Sequence, residues 1–146
     1  MSANSKIDYI DGHPVHFSVG AIIYKDQKLL LMSRKNPPFG LAGPAGHIDG
    51  GESPDQALAR EVLEETGLRL IRSKKLFEEF VPWNECKAGI RGHYWYVFEC
   101  ETTGELDMST EEAHSLNWYP VSDLNTLKLE AVWQYWFKKI GIIKED

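Results

Sequence analysis

The sequence predicts an α/β (α+β) fold in which a central mixed β-sheet carries helices on its faces. Three observations lead to this. Apolar, β-rich runs recur along the chain, one capped helix pattern divides them, and a second amphipathic helix pattern closes the chain. The order is not a regular βαβ repeat, and no G-x-G-x-x-G follows a strand as it does in a dinucleotide-binding fold.

The first third of the chain is predicted to be a hairpin between two irregular segments. Residues 15–24 and 28–34 are apolar and rich in β-formers, and the polar residues 25–27 between them indicate a turn. Residues 1–14 are predicted to be a loose lead-in. Residues 36–46 are dense in Pro and Gly, which is typical of a loop.

The clearest helix is predicted over residues 53–66. Ser53 is a suitable N-cap, Pro54 suits the first helical position, and Gly67 is a suitable C-terminal stop. A strand pattern returns over residues 68–81.

The rest of the chain alternates between loop and strand patterns and ends in an amphipathic helix. The predicted elements are a loop at 82–89, a strand at 90–101, an acidic loop at 105–112, a strand at 113–121, a short helix or turn at 122–127 and a helix at 129–140.

Length and composition favour one globular domain over residues 1–146. The chain is 42% hydrophobic and 26% charged, which is ordinary for a protein with a packed core. Its net charge of −6 argues against a partner such as duplex nucleic acid, which normally requires a basic face. Cys86 and Cys100 form no C-x-x-C pair and no disulfide framework, so we expect free thiols.

Targeting signals are not evident in the sequence. The first residues contain no apolar signal region, and no apolar run approaches the ~20 residues that span a bilayer. We therefore expect a cytoplasmic protein that does not insert into a membrane.

An acidic cluster lies on one face of the predicted helix. At about 100° per residue, Glu61, Glu64 and Glu65 fall within an arc of about 100°, while Leu58, Ala59, Val62 and Leu63 lie on the other side. Like charges one turn apart destabilise a helix, and divalent cations relieve that repulsion. A solvated acidic face, paired locally with Arg60, is the competing interpretation.

The flanking residues decide between these interpretations. Residues 46–68 read GHIDGGESPDQALAREVLEETGL, which matches every defined position of G-x5-E-x7-R-E-U-x-E-E-x-G-U, with U an aliphatic residue. This segment resembles the signature of the Nudix hydrolase family. The order of the flanking strands also resembles the α/β/α sandwich of that family.

The resemblance implies roles for the matched residues. Glu61, Glu64 and Glu65 would bind Mg²⁺ or Mn²⁺, with more than one ion per site, and Glu61 is also a candidate general base. Arg60 would orient the carboxylates, and Glu52 and Gly46 would support them. The backbone carbonyl of Ala45 would join the metal ligands, although the family commonly has Gly there.

Other site residues are predicted outside this box, each with a plain alternative. Relatives in the family often place a carboxylate before a late W-x-P motif, and Glu112, or else Glu111, precedes Trp118-Tyr119-Pro120. Glu112 is thus a candidate metal ligand or base, or else a solvated acid. Arg34 and Lys35 are candidates for binding phosphate, or else an ordinary surface pair.

Aromatic residues and histidines give weaker signals. Trp83 follows Pro82 in a loop and is a candidate to stack on a nucleobase. Trp133, Trp136 and Phe137 are expected to pack against the sheet or to form a homodimer contact. His47 is interpreted as structural, and His13 and His16 as terminal or edge-strand residues without a role.

The predicted activity is metal-dependent hydrolysis of a phosphoanhydride bond in a nucleoside diphosphate linked to another moiety, with water attacking phosphorus. The partner would be a small nucleotide, either a nucleoside triphosphate or an ADP-ribose-like compound. Pro82 is a weak marker for the latter within the family. A Nudix-fold module that binds a nucleotide without cleaving it is the alternative, and the net charge of −6 disfavours RNA processing.

Overall fold

The computed structural model describes residues 7–10, 12–34, 39–84, 92–107 and 113–144. These residues form eight strands, two α-helices and one 3₁₀ helix. The strands are β1 (Ile7–Ile10), β2 (His13–Lys25), β3 (Lys28–Arg34), β4 (Leu41–Ala42), β5 (Ala45–His47), β6 (Arg69–Val81), β7 (His93–Thr103) and β8 (Ala113–Pro120). The helices are α1 (Pro54–Thr66), the 3₁₀ helix (Val121–Thr126) and α2 (Ala131–Lys139).

The predicted mixed sheet is confirmed, with β2 at its centre. The strands pair in the order β4-β3-β2-β7-β6, with β1 and β5 also on β2 and β8 on β3. The pairing of β2 with β7 is parallel, and the other strand pairs are antiparallel. This one parallel pairing among the described strands makes the sheet mixed.

The predicted hairpin forms at its turn, but its two strands then diverge. Tyr24 pairs with Leu29 and Lys25 with Lys28, across a two-residue turn in which Asp26 and Gln27 have φ of 51° and 63°. Beyond the turn, β2 continues beside β7 and β5, whereas β3 pairs with β8 and β4.

The loose lead-in predicted for residues 1–14 is wrong for its second part. Ile7–Ile10 is a strand that pairs with the start of β2, from Ile7 opposite His16 to Ile10 opposite His13. Gly12 has φ of 80° at the turn between them, a conformation that glycine adopts without strain. The Asp11-Gly12 dipeptide is itself a hairpin signal that the apolar pattern alone does not reveal.

The loop predicted over residues 36–46 also contains ordered strand structure. Leu41–Ala42 pairs with β3, and Ala45–His47 pairs with β2 opposite residues 18–20. These strands are too short to show an alternating pattern, and their pairing partners are distant in sequence. The prediction of a loop rested on Pro and Gly, and it is wrong for these two short strands.

The predicted helix over residues 53–66 is confirmed together with its caps. Ser53 Oγ accepts a hydrogen bond from the backbone N–H of Gln56, and the Gln56 side chain accepts one from the Ser53 N–H. At the other end, Gly67 has φ of 78° and its N–H donates to the Leu63 carbonyl. Local sequence signals alone thus set both ends of α1.

The two faces of the sheet carry separate apolar clusters, as a sandwich requires. Leu58 and Val62 of α1 pack on one face, against Val19 and Ile23 of β2. The other face is covered by α2, and three of the four aromatic residues of this helix are at most 1% exposed. These are the residues expected either to pack or to form a dimer contact, namely Trp133, Trp136 and Phe137. They pack, and the homodimer stays a prediction.

Within the described ranges, no helix combines the length and the apolar character needed to cross a membrane.

Candidate active site

Arg60 of α1 binds Glu52 through two parallel hydrogen bonds. Its Nε lies 2.8 Å from Glu52 Oε2 and its Nη2 lies 2.9 Å from Glu52 Oε1. Glu52 also accepts a hydrogen bond from the backbone N–H of Asp49 at 2.9 Å. The bonds from Arg60 and from Asp49 lower the pKa of Glu52 and keep it ionised. Glu52 is therefore a fixed anionic partner of the guanidinium.

The same guanidinium reaches two carboxylates of the acidic cluster. Arg60 Nη1 lies 2.7 Å from Glu61 Oε1 and 3.1 Å from Glu64 Oε1, and Nη2 donates to the His47 carbonyl at 2.9 Å. The Glu61 side chain is 14% exposed and that of Glu64 is 56% exposed. Arg60 thus contacts both carboxylates, as a residue that orients them must.

Glu65 connects α1 to β5. It is buried, and its Oε1 accepts a hydrogen bond of 2.8 Å from the backbone N–H of Ala45. The helix wheel predicted an apolar side containing Ala59 and Leu63, but both are exposed. The buried side of α1 instead runs through Leu58 and Val62 to Glu65, since the Ala45 N–H gives that carboxylate a partner.

Gly46 lies directly beneath the carboxyl group of Glu61. A Cβ at residue 46 would overlap the Glu61 carboxyl carbon and both of its oxygens. The backbone of β5 can approach this closely only without a side chain. The first glycine of the box therefore has a steric role in placing Glu61.

The cluster suits a hard divalent cation. Glu52, Glu61, Glu64 and Asp49 all lie within 4 Å of the single guanidinium of Arg60, which leaves an excess of negative charge. Among the described residues, Asp49 Oδ1 is also buried without a hydrogen-bond partner. Carboxylate oxygens in excess of their cationic partners are the donor set that Mg²⁺ and Mn²⁺ bind.

Of the predicted residues outside the box, the structure describes Trp83 and Arg34, and neither has a described hydrogen bond to Arg60. Trp83 is 51% exposed and packs edge-on against Tyr135 of α2, with ring centroids 5.6 Å apart. Arg34 ends β3 and is half-buried. Lys35, Glu111 and Glu112 lie outside the described residues, so their predicted roles stay predictions.

Three histidines meet on neighbouring strands, a convergence that no pattern in the sequence indicates. His16 is fully buried in the central strand β2, so its interpretation as a terminal or edge residue is wrong. Its ring centroid lies 4.3 Å from that of His47 and 6.0 Å from that of His93. Burial lowers the pKa of all three, that of His47 to about 3. At neutral pH the three rings are therefore uncharged.

A buried carboxylate near Arg34 was also missed. Glu130 precedes α2 and is 6% exposed. Burial raises its pKa to about 7, and the positive charge of Arg34 opposes that rise. The sequence shows Glu130 only as one acid at the start of an amphipathic helix, with no sign that it is buried.

Comparison with known proteins identifies the family. The NUDIX domain model matches residues 14–139. An ADP-ribose pyrophosphatase from Methanocaldococcus jannaschii is 48% identical over 58 residues, which are 38% of this chain and 34% of that protein. An RNA pyrophosphohydrolase from Aliivibrio fischeri is 26% identical over 155 residues, 92% of this chain and 90% of that protein.

A nudix hydrolase from Caenorhabditis elegans is 31% identical over 135 residues, 86% of this chain. The chain spans 34% of the length of this nematode protein and 34% of the archaeal one.

Solved structures share the fold. A MutT NUDIX hydrolase from Burkholderia pseudomallei has a TM-score of 0.75 at 24% identity, covering 86% of this chain and 97% of that one. The NUDIX domain of Shewanella oneidensis NrtR, complexed with ADP ribose, has a TM-score of 0.73 at 20% identity, covering 86% of each chain. With a family model over most of its length and an intact box at residues 46–68, this chain belongs to the Nudix hydrolase family.

Proposed function

We propose that this chain is a pyrophosphohydrolase that cleaves the phosphoanhydride bond of a nucleoside diphosphate derivative in the presence of Mg²⁺ or Mn²⁺. The observation that carries the proposal is the network around Arg60. It joins Glu52, Glu61 and Glu64 on one side of α1, while Glu65 joins the same helix to β5. A merely solvated acidic face would not hold Glu61 against the Gly46 backbone.

The chain's own residues supply binding, orientation and a base. Glu61, Glu64 and Glu65, with the Ala45 carbonyl, would hold the cations. Arg60 donates a hydrogen bond to Oε1 of Glu61 and to Oε1 of Glu64, which orients both carboxylates. Glu61 or Glu112 is proposed as the base that takes a proton from the attacking water. When bound, the cations supply neutralisation of the negative charge that develops on the phosphates.

An ADP-ribose-like substrate is the first to test. The archaeal relative that is 48% identical over 58 residues is named an ADP-ribose pyrophosphatase, and the NrtR domain was solved with ADP ribose. Trp83 presents a half-exposed ring that can stack on a base, and Arg34 is a donor that can bind a phosphate. Nucleoside triphosphates remain the second substrate class.

Two other functions compete with this proposal. The Aliivibrio fischeri relative is named an RNA pyrophosphohydrolase and matches most of the chain, so RNA with a 5′-triphosphate belongs in the substrate panel. The likeness to a domain complexed with ADP ribose also keeps open a module that binds without cleaving. The unbroken acidic positions of the box favour hydrolysis.

The test is a substrate panel with product identification. Purified protein with Mg²⁺ is incubated with ADP-ribose, each nucleoside triphosphate and 5′-triphosphate RNA, beside the variants Glu64→Gln and Glu65→Gln. We expect turnover to fall by ~100-fold or more in both variants, since groups that stabilise transition-state charge contribute that much. Glu99→Gln, which removes an exposed carboxylate on β7, is the matched control and should keep full turnover.

Two results would count against hydrolysis at this site. Turnover that survives both substitutions, or that persists in a chelator, would place the chemistry elsewhere. Calorimetry that shows tight ADP-ribose binding with no product over hours would support the non-cleaving module instead.

A further inference from the structure

Three histidines, His16 and His93 buried and His47 half-buried, lie on one side of the sheet, away from the carboxylates around Arg60. His16 on β2 is paired directly with His93 on β7, and His47 on β5 lies opposite Ser18 of β2. Because β5 and β7 flank β2, the three side chains converge. Neighbouring residues of a strand point to opposite faces, and residue 46 faces Glu61, so His47 points away from the acidic cluster.

The nitrogen atoms of the cluster are spaced for a shared metal ion. One ring nitrogen from each of the three histidines lies within 4.8 Å of the others. The Nε2 atoms of His47 and His93 are 3.2 Å apart. Two imidazole nitrogens bound to one tetrahedral Zn²⁺ are about 3.3 Å apart, given Zn–N distances of about 2.0 Å.

His16 supplies an independent indication that a ligand belongs here. It is 0% exposed, and neither of its ring nitrogens has a hydrogen-bond partner among the residues that the structure describes. A buried polar group without a partner destabilises the fold, and buried polar groups in proteins are normally satisfied. A metal ion bound to one ring nitrogen would give His16 the missing partner.

His93 is oriented as a metal-binding histidine usually is. Its Nδ1 lies 2.5 Å from the backbone carbonyl of Asn84, so Nδ1 carries the proton and Nε2 keeps its lone pair. Metal-binding histidines commonly donate their second N–H to a carbonyl in this way, which fixes the ring. The Asn84 side chain also accepts a hydrogen bond from the Trp95 indole at 3.0 Å, which fixes the residue that presents this carbonyl.

We propose that His16, His47 and His93 bind one divalent transition-metal ion, with Zn²⁺ the best match, each through one imidazole nitrogen. Three nitrogen ligands favour Zn²⁺ over Mg²⁺, whereas the carboxylates around Arg60 have the opposite preference. The ion would tie β5 to β2 and β7 and would leave one coordination position open for water or another small ligand. This site is separate from the proposed hydrolytic site and does not depend on it.

The test is Zn²⁺ binding to the full, untagged chain in excess Mg²⁺, which occupies the carboxylates. We expect one equivalent of Zn²⁺ to bind by calorimetry, and affinity to fall by ~100-fold in His47→Gln and in His93→Gln, since even residues that only orient ligands can contribute 10- to 100-fold. Glu64→Gln is the matched control, and its affinity for Zn²⁺ in excess Mg²⁺ should equal that of the wild type. Circular dichroism of each metal-free variant shows whether it is folded.

A second measurement needs no substitution. Imidazole ¹⁵N spectra of the wild type, recorded with and without Zn²⁺, should show coordination shifts at His16, His47 and His93 and none at His13 or His114. Zn²⁺ that leaves these three rings unshifted, or affinity that is lost in Glu64→Gln and kept in the histidine variants, would overturn the proposal. Folded wild type that binds no Zn²⁺ would overturn it as well.

Discussion

The Arg60 guanidinium and the Glu52 carboxylate form a bidentate ion pair, with N···O distances of 2.8 and 2.9 Å. The Arg60 side chain is 27% exposed and that of Glu52 is 21% exposed. Paired geometry and partial burial both strengthen such a contact relative to an ordinary surface ion pair. The pair anchors the start of the box to the middle of α1.

Arg60→Lys should therefore destabilise the protein although it keeps the charge. A lysine cannot reproduce the fork of donors, and the hydrogen bonds to Glu52, Glu61 and His47 would be lost or weakened. We expect the free energy of unfolding to fall by about 1 to 3 kcal/mol, measured by urea denaturation. The control is Arg72→Lys, because Arg72 is 78% exposed and pairs only with Glu101 in the contacts described, so its effect should stay below about 0.5 kcal/mol. Equal effects of the two substitutions would show that the paired geometry contributes nothing.

Gly46→Ala should impair activity more than stability. The added Cβ would displace the Glu61 carboxylate from its position against β5. We expect turnover to fall by ~100-fold and Mg²⁺ to bind more weakly at the site. Steady-state kinetics across Mg²⁺ concentrations would measure both effects.

Gly141→Ala is the comparison for that substitution. Gly141 has φ of 84° with nothing near its Cβ position, so alanine there should lower stability by about 1 kcal/mol and leave turnover unchanged. A Gly46→Ala protein that hydrolyses substrate normally would contradict the steric role given to Gly46.

The three clustered histidines should make the metal-free protein sensitive to acid. The pKa of His47 falls from an ordinary 6.5 to about 3 in the folded chain, so the unfolded chain binds more protons between those values. Stability is then complete above about pH 6.5 and is lost as the pH falls toward 3. His47→Gln should flatten this dependence, measured as the free energy of unfolding against pH in a chelator. A slope identical to that of the wild type would refute the assignment.

Glu130 should make the protein less stable as the pH rises, which is opposite to the effect of His47. Burial raises its pKa to about 7, so between its ordinary value of 4.5 and 7 the folded chain holds the proton that the unfolded chain releases. Its burial therefore costs stability as the pH rises through that window. The change in the free energy of unfolding caused by Glu130→Gln should be more favourable at pH 8 than at pH 4, by about 1 to 3 kcal/mol. Glu105→Gln, at an exposed residue, should show no such difference between the two pH values.

The sequence predicted those parts of the fold that depend on neighbouring residues. Ser53, Pro54 and Gly67 define α1 because caps act within one turn of the helix. The apolar runs on either side of residues 25–27 predicted both strands of the hairpin, because that signal also lies among neighbouring residues. Arg60 and the glutamates of α1 were recognised together because a helix places residues of close number on one side.

What the sequence did not reveal depends on pairing between distant residues. His16, His47 and His93 converge only because β5 and β7 both pair with β2, in registers that no local pattern specifies. The strand Ala45–His47 was hidden in a segment rich in Pro and Gly. The burial of Glu130 likewise arises from contacts of α2 with the sheet, which leave no mark on the residues beside it.

The three-residue strand β5 has a consequence for how the two proposed sites communicate. Its backbone contacts Glu61 and Glu65 of the box on one side, and it presents the His47 ring on the other. A displacement of β5 would therefore move groups at both sites. If an ion in the histidine cluster changes affinity for Mg²⁺ at the carboxylates, thermodynamic linkage requires Mg²⁺ to change the affinity of that ion by the same factor. A rigid β5 would make that factor one, so measuring it reports how stiff the strand is.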